Sequence, residues 1–141
     1  NTYIQQGKTE EAIALLEKNI AQSPNNAQLY DVMGKLYEAT DEEKAIEYFK
    51  KALEVDPSFK ESVYNLGRVY YNMGARIKSG EKVDAASDAK AKEYFKLALP
   101  LMEQAYKNDP DGSWYILGNV YYNLKMTDKY EQIQKAHNAN K

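Results

Sequence analysis

Few residues in this chain could do covalent or acid–base chemistry. His137 is the only histidine and there are no cysteines. A histidine-dependent triad, a multi-histidine metal centre and a thiolate site are therefore unavailable. His137 also lies near the C-terminal end, where a helix is expected to fray. Gly74-Ala75-Arg76-Ile77-Lys78-Ser79-Gly80 has the spacing of a phosphate loop but lacks the closing Gly-Lys-Ser/Thr. It reads instead as an ordinary loop. Asp109-Pro110-Asp111-Gly112-Ser113 places oxygen ligands at alternate positions, as calcium loops do. No bidentate glutamate follows, and Pro-Asp-Gly forms a turn unaided. The paired acids Glu10-Glu11 and Glu42-Glu43 fall at expected first turns of helices, where negative charge suits the helix dipole. Adjacent residues do not face one cleft, so they make poor acid–base pairs. No catalytic residue, metal or cofactor is assigned.

The elements that would position any site repeat. Met33-Gly34-Lys35-Leu36-Tyr37, Leu66-Gly67-Arg68-Val69-Tyr70 and Leu117-Gly118-Asn119-Val120-Tyr121 are one phrase. A second phrase runs Ala45-x3-Phe49-x2-Ala52 to Pro57, and again Ala98-x3-Met102-x2-Ala105 to Pro110. An eroded copy, Ala12-x3-Leu16-x2-Asn19 to Pro24, precedes them. A period of about 33 residues is the signature of a helical-hairpin array. The apolar spacing predicts helices over Gln28–Glu38, Glu42–Val55, Lys60–Met73 and Ser113–Leu124, with a short closing helix from Thr127 or Asp128. Mid-helix glycine costs about 1 kcal/mol against alanine. Its recurrence at Gly34, Gly67 and Gly118 implies close approach of the partner helix, with Ala45 and Ala98 expected opposite the first two.

Composition bounds the partners. A net charge of −2 argues against nucleic acid. No apolar run approaches the roughly 20 residues that span a bilayer. Thirteen tyrosines stand against three phenylalanines, and a tyrosine suits both a half-buried ridge and a binding surface. The array is broken once. The interval from Gly67 to Ala98 is about twenty residues longer than that from Gly34 to Ala45. This insertion, near Ala75 to Ala91, reads as two lengthened helices with a polar tip around Ser79–Asp84. Pro100 should bend the second of them.

Val63, Leu66, Gly67 and Tyr70, with Ala45, Phe49, Ala52 and Pro57, carry a resemblance to the tetratricopeptide repeat; Trp114, Leu117, Gly118 and Tyr121 carry it in the last unit. The resemblance implies an all-α fold, a right-handed superhelix of antiparallel helix hairpins. It divides a single domain, 1–141, into a partial repeat 1–26, a repeat 27–59, a repeat 60–110 holding the insertion, and a degenerate capping repeat 111–141. The first unit keeps only the end of its first helix, Tyr3–Gln6, before Gly7. Asn1 falls inside a repeat, so the chain reads as a fragment. Ala98–Tyr106, the insertion and Met126–Glu131 further resemble the end of exported multi-repeat proteins of Bacteroides-like bacteria. That likeness implies an extracytoplasmic setting, with a cytoplasmic one as the alternative.

In this family the first helix of each hairpin lines a concave groove. Carried over, the groove-facing residues are Asp31, Lys35 and Glu38, then Glu61, Tyr64, Asn65, Arg68, Tyr71 and Asn72, then Tyr115, Asn119, Tyr122 and Asn123. Asparagine offers a donor and an acceptor to an extended peptide backbone. The binding set is therefore Lys35, Tyr64, Asn65, Arg68, Tyr71, Asn72, Tyr115, Asn119, Tyr122 and Asn123. Asp31 and Lys35 stand where a carboxylate-clamping member carries Lys and Asn, so capture of a chaperone tail is disfavoured. The leading expectation is a non-catalytic scaffold that holds an extended peptide or a partner helix. The alternatives are a glycan or small polar ligand on Tyr71, Tyr115 and Tyr122, and a closing module that self-associates through the inserted arm.

Overall fold

Helix caps and prolines punctuate the chain. The computed structural model describes Thr2–Asn140, with side chains from Gln5 onward; the expectation for Asn1 lies outside the described residues. Seven helices and no strand occur among them: α1 (Thr2–Gln22), α2 (Ala27–Tyr37), α3 (Glu42–Val55), α4 (Lys60–Lys78), α5 (Ala85–Asn108), α6 (Pro110–Asn123) and α7 (Thr127–Ala139). By packing, the chain falls into two units, Asn1–Ser62 and Val63–Lys141, and the boundary lies in the first turn of α4.

In the first unit α1 packs on α2 and α2 on α3. Asn26 opens α2, its side chain accepting from the Gln28 amide at 3.1 Å. Asp41 opens α3 by accepting from Lys44 N–H at 3.2 Å, and Glu42 and Glu43 follow in the dipole-favoured first turn. Proline at 57 cannot continue the ladder, and α3 stops at Val55. The expected break at Gly7 does not occur, because α1 is continuous from Thr2. A single glycine weakens a helix without ending it. Thr9, the natural cap for a new helix, donates its hydroxyl to Gln5 O four residues back at 2.9 Å.

In the second unit α4 and α5 are the lengthened hairpin, and Ser79–Asp84 is the polar tip between them. Asp84 and Ser87 form a capping box at the start of α5. The helix continues through Pro100, which removes one backbone donor. The loop reading of Gly74–Gly80 is corrected: Gly74 to Lys78 are the last turn of α4. The turn reading of Asp109–Ser113 is corrected too. Asp109 both ends α5 and caps α6, accepting from Gly112 N–H at 3.1 Å, with Pro110 in the first helical position where its missing donor costs nothing.

Gly34 and Gly67 are sites of close approach, though the nearest atoms do not belong to the alanines expected, and Gly118 is not such a site. A Cβ on Gly34 would lie 2.5 Å from the Phe49 ring, and one on Gly67 2.7 Å from Met102 Sδ. At Gly118 the neighbours are Gln134 and Ile133, both at an ordinary 3.6 Å. The opposing residue is thus one helical turn beyond the small residue, because the large side chain reaches the glycine while Ala45 and Ala98 let the backbones close. All of Ala45, Phe49, Ala98 and Met102 are fully buried.

Candidate functional site

On α4 and α6 the side chains facing away from the core form a joined polar and aromatic surface. Residues 115, 119, 122 and 123 share one face of α6 by their spacing. Leu117, Gly118, Val120 and Tyr121 are buried. Asn119 donates its amide to the Tyr71 hydroxyl of α4 at 3.1 Å, and Asn123 donates to the Asn119 carbonyl at 2.7 Å. The Tyr71 ring leans on Phe95, with centroids 6.0 Å apart. This ladder fixes Tyr71, Asn119 and Asn123 in place. It also commits one amide N–H of each asparagine to the chain itself. Tyr115 and Tyr122 are different, at 63% and 66% exposed. Tyr115 meets Trp114 edge-on and Tyr122 leans on Tyr130 at 5.5 Å.

The remaining members of the expected set separate. Tyr64 and Asn72 are half-buried on α4. Asn65 is only 7% exposed, and its oxygen accepts from Arg68 at 3.4 Å. It therefore positions Arg68 and presents little of itself. Glu61 is exposed and Glu38 half-buried. Lys35 is exposed and ion-paired to Asp31 at 3.4 Å. Asp31, expected on the groove, is 2% exposed and accepts from the Ser62 hydroxyl at 2.7 Å. Its position was right for helix α2, but a carboxylate with a serine across from it is a packing device of the first unit. The repeat register gave no signal for the pair, since the position matching Asp31 in the next repeat is Tyr64 and not Ser62.

The periodic reading missed three other contacts. His137 is not frayed; it stacks on Trp114 with centroids 3.5 Å apart and planes 14° apart, pinning α7 to α6. Tyr121 donates its hydroxyl to Glu103 at 3.1 Å, with Lys129 3.8 Å from the same carboxylate. Burial, and then that carboxylate, push the Tyr121 phenol up to about 12. The third is a cleft of about 690 Å³ between the end of α4 and the α6–α7 turn, lined by Lys78, Tyr122, Tyr130 and Glu131 among others. Among the described residues no group of three His, Asp or Glu side chains could hold a metal ion, and no helix is long and apolar enough to cross a membrane.

The TPR repeat family pattern matches residues 1–41 and 42–74, just over half of the chain. The protein belongs to the tetratricopeptide-repeat family, whose members generally mediate protein–protein interaction. Among known proteins it is similar to the Photosystem I assembly protein Ycf3 of Acaryochloris marina (strain MBIC 11017), 29% identical over 106 residues, covering 74% of this chain and 58% of that protein. Its fold is similar to that of MamA (41-end) from Desulfovibrio magneticus RS-1, with a TM-score of 0.70 at 21% identity, covering 94% of this chain and 66% of that one. The MamA RS-1 ArsTM double mutant gives 0.71 at 21%, over 94% and 65%. At these identities the structural likeness bears on fold alone. The chain spans less than two thirds of each of these relatives.

Proposed function

We propose that the α4/α6 face is the working surface of a non-catalytic interaction module that holds an extended peptide or a helix of a partner protein. The observation that carries this reading is the pairing of two exposed tyrosines, Tyr115 and Tyr122, with the immobilised Tyr71–Asn119–Asn123 ladder beside them. Tyrosine gives large, rigid contact area at little entropic cost. A pre-fixed polar row lowers the ordering cost of docking. Arg68, steered by Asn65, adds one cation for an acidic side chain. Recognition through rings and amides predicts only modest weakening with added salt. An extracytoplasmic setting rests solely on the likeness of the arm and Ala98–Tyr106 to exported repeat proteins.

The test is affinity capture from an extract of the producing cell with the wild-type chain and a Tyr115→Ala/Tyr122→Ala variant. A partner retained by the wild type and lost with the variant is the expected result. Equal retention by both removes the face from consideration.

A further inference from the structure

The cleft at the α6–α7 turn has a feature that packing does not require. Lys125 adopts φ 59°, the only positive φ of a non-glycine among the described residues. The turn around it is a Schellman cap: Met126 N–H donates to Tyr121 O at 2.9 Å and Lys125 N–H to Tyr122 O at 3.1 Å. That position favours glycine, since a side chain is strained there. A lysine held in this conformation lines the cleft together with Lys78, the last residue of the lengthened α4. Lys78 is itself fixed by Asp88 at 2.6 Å. The insertion thus delivers one ammonium to the cleft and a strained turn delivers the other.

Tyr122 and Tyr130 line the same cleft, their rings leaning on each other with centroids 5.5 Å apart and planes at 57°. Together they offer an aromatic wall to a planar or branched apolar side chain. Lys78, Lys125 and Lys92, which shares Asp88 with Lys78, outnumber the carboxylates of Glu131 and Asp88 by one and set an anionic preference. A neutral sugar would need several fixed amides and hydroxyls along its edge. The cleft has one side-chain amide, Asn123, and one of its two N–H donors already goes to the Asn119 carbonyl. We propose that this cleft is a second docking point, for an acidic peptide segment. Its aromatic or apolar side chain packs against the Tyr122 and Tyr130 rings, and its carboxylate meets Lys78 and Lys125. The proposal rests on the protein-interaction reading above and adds the chemistry of the segment bound.

The experiment is a ¹H–¹⁵N NMR titration of the whole chain with the acetylated, amidated tripeptide Asp-Phe-Asp. Asn-Phe-Asn, Asp-Ala-Asp and trigalacturonate serve as comparison probes. Saturable shifts at Tyr122, Lys125, Thr127 and Tyr130 are expected, with affinity at least fivefold lower for either comparison peptide. Lys125→Gly should bind at least fivefold more weakly while unfolding at higher urea, which separates lost binding from lost fold. Tyr130→Ala should lose the shifts as well. Absent shifts, undiminished binding by Lys125→Gly, or equal binding of trigalacturonate at the same resonances would each overturn the peptide assignment. If the cleft fails but the module reading holds, Lys125→Gly retains the extract partner that Tyr115→Ala/Tyr122→Ala loses. If both fail, neither variant changes what is captured.

Discussion

The hairpins α2/α3 and α4/α5 apply one packing rule a different number of times. In α2/α3 a single glycine, Gly34, takes the Phe49 ring, with Ala45 one turn away. In α4/α5 the contact of Gly67 with Met102 recurs two turns further out. There Gly74 meets Phe95 at 2.9 Å and the Ala91 carbonyl at 3.1 Å. Ala91-x3-Phe95 restates Ala98-x3-Met102 seven residues earlier, two turns of helix. The insertion therefore extends the hairpin by repeating its own contact, and no new kind of core is needed. The difference also teaches where novelty enters. The added turns end in Lys78, which borders a cleft that a hairpin of ordinary length would not reach.

Alanine at each glycine probes this rule most strongly. Gly34→Ala should destabilise by about 2–3 kcal/mol, since Phe49 is fully buried and its ring cannot withdraw. Gly74→Ala should cost less, about 1–2 kcal/mol, and Gly67→Ala about 1 kcal/mol, because the thioether of Met102 bends more easily than a ring. At Gly118 the new methyl finds ordinary contacts at 3.6 Å, so the helix gain prevails and stability rises by up to about 1 kcal/mol. Urea midpoints at unchanged slope measure the series. In a Phe49→Ala background, itself about 3–5 kcal/mol less stable, Gly34→Ala should turn stabilising. A Gly34→Ala penalty that persists without the ring would break the rule.

Much of this was legible in residue types. Glycine recurrence marked the close approaches at Gly34 and Gly67 but not at Gly118, and prolines and cap residues marked the helix ends. The opposing residue was misplaced by one turn, because a linear pattern marks the small residue and not where its large neighbour reaches. The candidate surface was legible as a face of α6, where Tyr115, Asn119, Tyr122 and Asn123 recur at helical spacing. Burial was not. Asn65 and Asp31 were expected on the groove like Asn119, yet both are buried, and Asp31 accepts a hydrogen bond from Ser62. The cleft was illegible, since it joins Lys78 to Tyr130 across a long interval and depends on the backbone angle of Lys125.

The buried carboxylate sharpens the contrast between positioning and presenting residues. Asp31→Ala leaves the Ser62 hydroxyl and the Lys35 ammonium without this partner and should cost about 2 kcal/mol. Asp31→Asn, which keeps an acceptor, should recover part of that loss, and far-UV circular dichroism during urea unfolding reads both. An Asp31→Ala variant as stable as the wild type would return Asp31 to the candidate surface. Lys125→Gly should raise stability by about 1 kcal/mol through relief at the left-handed position. No gain would mean that the lysine is held there by contacts of its own.

The smallest effect concerns how the long hairpin is closed. Hydrogen bonding from Lys78 first, and then from Lys92, holds the Asp88 carboxyl below its ordinary value of 3.8; the Ser87 amide first does the same for Asp84. A carboxyl with a depressed folded value contributes while ionised, above the ordinary range, and the contribution is lost as pH falls through the folded value. Amide-exchange protection of Ser87 and Asp88, corrected for intrinsic rates, should therefore be flat from pH 7 to about 5 and drop only below about 3.8. Lys78→Met should lower the protection of Asp88 at pH 7 while leaving the Asp84 cap intact. Because these groups are solvent-exposed, global unfolding should barely register the change. A matching loss of protection at Phe95 would show the tip and the outer Gly74 contact to be one cooperative piece; its absence would place the second packing step under the control of the core alone.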